Sequence, residues 1–108
     1  MLSEAEYGVL ATDELHALLG ALDELGDDLD AELSGDILTI EVGGQTYVLN
    51  SHTAARQIWL AAERQAWHFD YDRALRSWVA RKSGDELWGT LESLLQRKLS
   101  PSLRLSRP

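Results

Sequence analysis

Carboxylates are the commonest residues in this 108-residue chain that could do chemistry, and they are unevenly placed. Twelve of the eighteen Asp and Glu residues precede position 55, and all ten Lys and Arg follow it. The first 55 residues therefore carry −12 and the last 53 carry +4, together the net −8. Self-repulsion of that size opposes folding. A domain that keeps such a face either uses it, on a cation or a basic partner, or simply solvates it. The carboxylates concerned are Glu6, Asp13, Asp23, Glu24, Asp27, Asp28, Asp30 and Glu32. Single carboxylates on a helix and an edge strand cannot enclose an ion. They offer a few oxygen ligands with water filling the rest, which suits a hard, loosely held cation. Such binding is weak, poorly selective and salt-dependent.

Other chemistries are poorly provided for. The absence of Cys removes disulfides, thiolate nucleophiles and zinc–thiolate sites, and agrees with a reducing compartment. His16, His52 and His68 share no close ligand spacing, and His16 reads as solvated. Gly43-Gly44 is a hairpin turn, too short for a phosphate loop. Nothing marks a pocket that would raise a carboxyl pKa, so no catalytic residue is assigned. The acidic balance argues against nucleic acid, whose phosphates call for Lys and Arg. No apolar run approaches the ~18 residues of a membrane span. The acidic, Arg-free start, Met1 to Glu6, is unlike a signal or transit peptide. The expectation is a cytoplasmic protein.

The elements that would position these groups follow from periodicity. Tyr7, Leu10, Ala11, Leu15, Leu18, Leu22 and Leu25 recur at spacings of three and four, predicting a helix over 4–25 with its carboxylates turned to solvent. Gly26 is the expected C-cap. Alternating runs at 29–33, 37–42, 45–50, 57–61, 67–71 and 77–81 predict about six strands joined by short turns, an antiparallel meander. Ser83 to Glu86 has capping-box spacing and should open a second helix, whose apolar side is Leu87, Leu91, Leu94, Leu95 and Leu99. The expected architecture is an α+β two-layer sandwich, helix–sheet–helix, with both helices on one sheet face. One domain spans 1–108, and its tail, residues 100–108, packs on the helix layer through Leu103 and Leu105.

Strand alternation sets Trp59 on the face of Gln57 and Ala61, opposite Ile58 and Leu60. It is either a core tryptophan or an anchor on an open sheet face. Trp78 reads as core, and Trp67 and Trp88 are left open.

Taken in order, the segments at 27–33, 35–40, 57–61 and 67–70, followed by Trp78, resemble the frataxin family in its bacterial, CyaY-like branch. The resemblance implies an iron-binding acidic adaptor of iron–sulfur cluster assembly. It would hold Fe2+ or Fe3+ weakly on the ridge and dock on the cysteine desulfurase and scaffold protein, modulating the rate. It also implies that Trp59, with Asn50 and Gln57, faces outward to that partner. The alternatives are a ferroxidase or iron-storage protein acting after oligomerisation, and an acidic protein-binding domain unrelated to iron. The expected state is a monomer, with metal-driven oligomers as the variant. The chain departs from the family's usual pattern at Ser51, His52 and Ala54 after Asn50 and at Gln65-Ala66 before His68. Its connection over 72–77 is also longer by about two residues.

Overall fold

The computed structural model describes residues 2–107; Met1 and Pro108 lie outside the described residues. The first helix, α1, is Glu4–Asp23. Ser3 caps it, its hydroxyl accepting from the Glu6 N–H while the Glu6 carboxylate accepts from the Ser3 N–H, a reciprocal box that satisfies two end donors. Tyr7, Ala11, Leu15, Leu18 and Leu22 form its buried stripe. The helix stops two residues short of the expected Leu25, and Gly26 is not its cap. Glu24 closes it by bonding back to the Gly20 carbonyl, and Gly26, at φ +84°, opens a 3-10 turn, Gly26–Asp28.

Among the described residues seven strands follow in sequence order, each neighbouring pair antiparallel: β1 Leu29–Ser34, β2 Ile37–Val42, β3 Gln45–His52, β4 Gln57–Ala62, β5 Gln65–Asp72, β6 Ser77–Ala80 and β7 Asp85–Glu86. The seventh replaces the expected capping box. Asp85 and Glu86 are held extended against Ala80 and Val79, so the helix cannot start at Ser83. Glu86 becomes the N-cap of α2, Leu87–Lys98, its carboxylate accepting from the N–H groups of Trp88 and Gly89.

Alternate strand residues build the core. Leu38, Ile40, Tyr47, Leu49, Ile58, Leu60, Phe69 and Trp78 are buried under Leu15, Leu18 and Leu22 of α1 and Leu87, Leu91 and Leu95 of α2. Both helices therefore cover one face and leave the other to solvent. Neither is long and apolar enough to cross a membrane.

The C-terminal segment lies back on the helices. The Leu105 N–H donates to the Glu92 carboxylate at 2.8 Å, and the Gln96 amide donates to the Leu103 carbonyl at 2.8 Å. The Leu105 side chain is buried. Glu14, on the inner side of α1, is only 4% exposed. It accepts from the Trp88 indole N–H at 2.5 Å and from the Arg107 guanidinium, which also lies 5.2 Å above the Trp88 ring. Trp67 is half-buried and Trp88 buried.

Candidate functional site: an unpaired acidic edge beside an open sheet face

The carboxylates singled out from sequence are all exposed, but they fall into two groups. Glu6 stands apart in the first turn of α1. Sixteen or so helical residues at ~1.5 Å each separate it from Asp23, roughly 25 Å. It is engaged twice, by the Ser3 N–H and by the Arg73 guanidinium at 3.3 Å. Those two interactions, the backbone hydrogen bond first, hold its carboxyl below the usual range. Glu4 likewise faces Arg56 at 3.8 Å. Asp13, Asp23, Glu24, Asp27, Asp28, Asp30 and Glu32 have no cationic partner among the described residues. They run from the outer side of α1 around its C-terminal end and onto β1, the edge strand of the sheet. The C-terminal end of a helix is already electronegative, so this end of the molecule concentrates negative potential.

One carboxylate was missed from sequence. Glu41 is the cross-strand partner of Asp30, and Thr39 of Glu32. Together with Ala31 they line a shallow recess of about 440 Å³. Like charges directly opposite each other destabilise a sheet. The alternation of β2 put Glu41 on the outer face, but only the register of the β1–β2 hairpin places it against Asp30. Among the described residues no three Asp, Glu or His side chains converge as a closed metal-ligand set. The donors present are hard, exposed oxygens, suited to an ion that keeps most of its water.

The open face is organised around Trp59. Asn50 and His68 are its register partners on β3 and β5. Its ring is stacked between two imidazoles, His52 at 4.0 Å with 9° between planes and His68 at 4.2 Å with 15°. The indole N–H donates to the Gln57 side-chain oxygen at 2.8 Å, and the Gln57 amide donates to Asp70 at 3.2 Å. Asp70 in turn faces Arg81 at 3.4 Å. Trp59 is therefore on the outer face, opposite the buried Ile58 and Leu60, as the family resemblance implied, yet half-buried, because two rings cover it. A partner can reach its edge more readily than its faces. Asn50, Gln57 and Trp59 are brought together here. His52 and His68 are the residues sequence reasoning missed, since their roles depend on pairing across three strands. His16 stays apart and exposed, with Nδ1 2.9 Å from the Thr12 carbonyl.

A family model for the frataxin-like domain matches residues 1–101. The iron–sulfur cluster assembly protein CyaY of Pseudomonas putida is 36% identical over 103 residues, 94% of each chain. Mitochondrial frataxin of Arabidopsis thaliana is 31% identical over 113 residues, covering 98% of this chain and 60% of that protein. Among solved structures, frataxin from Psychromonas ingrahamii superposes with a TM-score of 0.87 at 23% identity, covering 98% of this chain and all of the other. Yeast frataxin superposes at 0.74 with 31% identity, covering 94% of this chain and 87% of its own. With the family match running over residues 1–101 and the fold superposing on those structures over nearly its whole length, the chain belongs to the frataxin family.

Proposed function

We propose that this protein is an acidic adaptor of iron–sulfur cluster assembly that docks on a cysteine desulfurase and its scaffold protein, carries or senses iron, and tunes the assembly rate. The observation that carries this reading is that Asp13, Asp23, Glu24, Asp27, Asp28, Asp30 and Glu32 have no cationic partner among the described residues, next to an uncovered sheet face. An uncompensated acidic edge speeds encounter with a basic partner, and the adjoining face supplies the close contact. In this reading Asp13, Asp23, Glu24, Asp27, Asp28, Asp30 and Glu32, extended by Glu41, attract the partner and hold iron loosely as cargo. Asn50, Gln57 and Trp59 make the packed contact. Glu6, already committed to Ser3 and Arg73, contributes least. The protein works as a cytoplasmic monomer and performs no covalent step itself.

The test is retention on immobilised cysteine desulfurase followed by a sulfide-release assay with and without ferrous ion. Retention that falls steeply with salt, and is lost when the acidic run is neutralised, supports the reading. Retention that ignores both salt and neutralisation removes its basis. A ferrous titration under nitrogen separates it from an acidic domain unrelated to iron, which would bind no more iron than the neutralised variant.

A further inference from the structure

The sheet has a notch in it. β5 is eight residues long and β6 four, and their ladder covers only Asp70–Asp72 against Ser77–Val79. The β4–β5 turn is Glu63-Arg64, both at positive φ (51° and 67°), with Ala62 and Gln65 as its closing pair. In such a two-residue hairpin the closing pair is hydrogen-bonded, and bonded pairs then alternate along the ladder. Gln65, Trp67 and Phe69 therefore exchange backbone bonds with β4. Ala66, His68, Asp70 and Asp72 turn theirs the other way. Asp70 and Asp72 meet β6. Ala66 and His68 meet no backbone partner among the described residues, because the chain turns away after Ala80, whose carbonyl accepts from both Ser83 and Gly84.

A recess lies on each side of this bare edge. On the helix side, about 440 Å³ is bounded by Trp67, Thr90, Ser93 and Leu94. On the open side, about 490 Å³ is bounded by Ala66, His68, Arg81 and Lys82. An extended strand sends alternate side chains to opposite faces, which is the layout these recesses match. The open side carries the cation excess, Arg81 and Lys82 against Asp70, while the helix side carries Asp85 and Glu86 against Arg97. Arg64 and Lys82 are exposed without acidic partners among the described residues, and Arg81 and Arg97 hold only single contacts, to Asp70 and Glu63. Glu86 is occupied at the start of α2. A second copy of the same edge would set these cations against their own counterparts. An acidic strand would be drawn in.

We propose that residues 65–68 of β5 accept an extended acidic segment of a partner protein as an added strand. Backbone groups of Ala66 and His68 pair with the segment. Its carboxylates point to Arg81 and Lys82, and its alternate aliphatic side chains point to Trp67 and Leu94. The inference does not depend on the iron–sulfur role.

The probe is a blocked peptide, acetyl-Glu-Val-Glu-Val-Glu-amide, titrated into isotopically labelled protein with backbone amide signals followed by NMR. Shifts should concentrate at 65–68, at 81–84 and on the outer side of α2. Replacing Glu by Lys throughout the peptide, or N-methylating its central Glu, should weaken binding by roughly tenfold or more. Ala66→Pro should do the same while keeping the fold, since the Ala66 N–H points away from β4. Absence of shifts at millimolar peptide overturns the proposal, as does undiminished binding of the N-methylated peptide. That second arm uses the unaltered protein, so it decides the matter even if Ala66→Pro does not fold.

Discussion

Arg107→Ala should cost far more stability than a residue near a chain end ordinarily does, and most of the cost should disappear when Glu14 is neutral. The Glu14 side chain is 4% exposed and the Arg107 side chain 53% exposed. Removing one partner of a fully buried pair costs about 3–5 kcal/mol because a bare charge is left behind. Here about half of the Arg107 side chain is in water, so the attraction is already partly screened and about 1–3 kcal/mol is the reasoned figure. In a Glu14→Gln background the side-chain carbonyl still accepts the Trp88 N–H and no charge is stranded. There Arg107→Ala forfeits only the cation–π contact, about 0.5–1 kcal/mol at an exposed site. The four proteins form a double-mutant cycle with an expected coupling of about 0.5–2 kcal/mol. Urea unfolding followed by circular dichroism gives the free energies, and a constant m-value shows that the denatured state has not changed. For a domain of this size each kilocalorie is worth roughly 4–8 °C in Tm, so a thermal scan would also resolve it. If Arg107→Ala costs the same in both backgrounds, the clamp over Trp88 does not exist in solution. Truncation after Ser100 should exceed the point mutant, since it also uncovers Leu105, worth about 1.5–3 kcal/mol.

Neutralising Asp27, Asp28, Asp30 and Glu32 to Asn or Gln should raise Tm at low salt and raise it less at high salt, because repulsion is relieved and salt already screens it; a lowered Tm would mean that these groups make structural hydrogen bonds. Ile58→Ala should destabilise by about 2–5 kcal/mol as a core truncation. Trp59→Ala should cost less, about 1–3 kcal/mol, mainly two ring stacks at about 0.5–1.5 kcal/mol each; the reverse order in chemical denaturation would place the wrong face of β4 in the core. The Glu6 carboxyl is held below its ordinary 4.5 by the Ser3 N–H and Arg73. Its contribution is therefore complete above that value and is lost as pH falls through the lowered one. Glu6→Gln should accordingly flatten the fall in Tm as pH drops below the ordinary 4.5, and an unchanged acid limb would count against the capping box.

The two-layer architecture was legible because it rests on periods: Tyr7 to Leu22 repeat at helical spacing, and the strands alternate. The helix ends were less so. Gly26 looks like a cap, yet the helix had already been closed by Glu24. Ser83 to Glu86 has the letters of a capping box, but pairing with β6 draws Asp85 and Glu86 into the sheet, a long-range demand that no local motif states. The acidic edge was visible as charge, while its membership was not. Glu6 is neutralised by an arginine 67 positions away, and Glu41 joins only through register. Alternation set Trp59 opposite Ile58 and Leu60, and the family resemblance chose the outer face for it. Its two imidazole neighbours belong to strands whose alignment is set by turns, so nothing adjacent in the chain announces them.

The pairing of Glu4 with Arg56 and Glu6 with Arg73 has an orientational consequence. Negative charge is cancelled where α1 begins, over the later strands, and left bare where α1 ends, beside β1. The folded molecule is therefore a permanent dipole as well as a net anion. In the field of a cationic surface a net charge is pulled, but a dipole is also turned. The β1 edge would swing forward before any atoms touch, bringing the outer sheet face round with it. Two variants of identical net charge, one with a carboxylate removed near β1 and one with it removed near the start of α1, would then differ in association rate even though their overall attraction is the same.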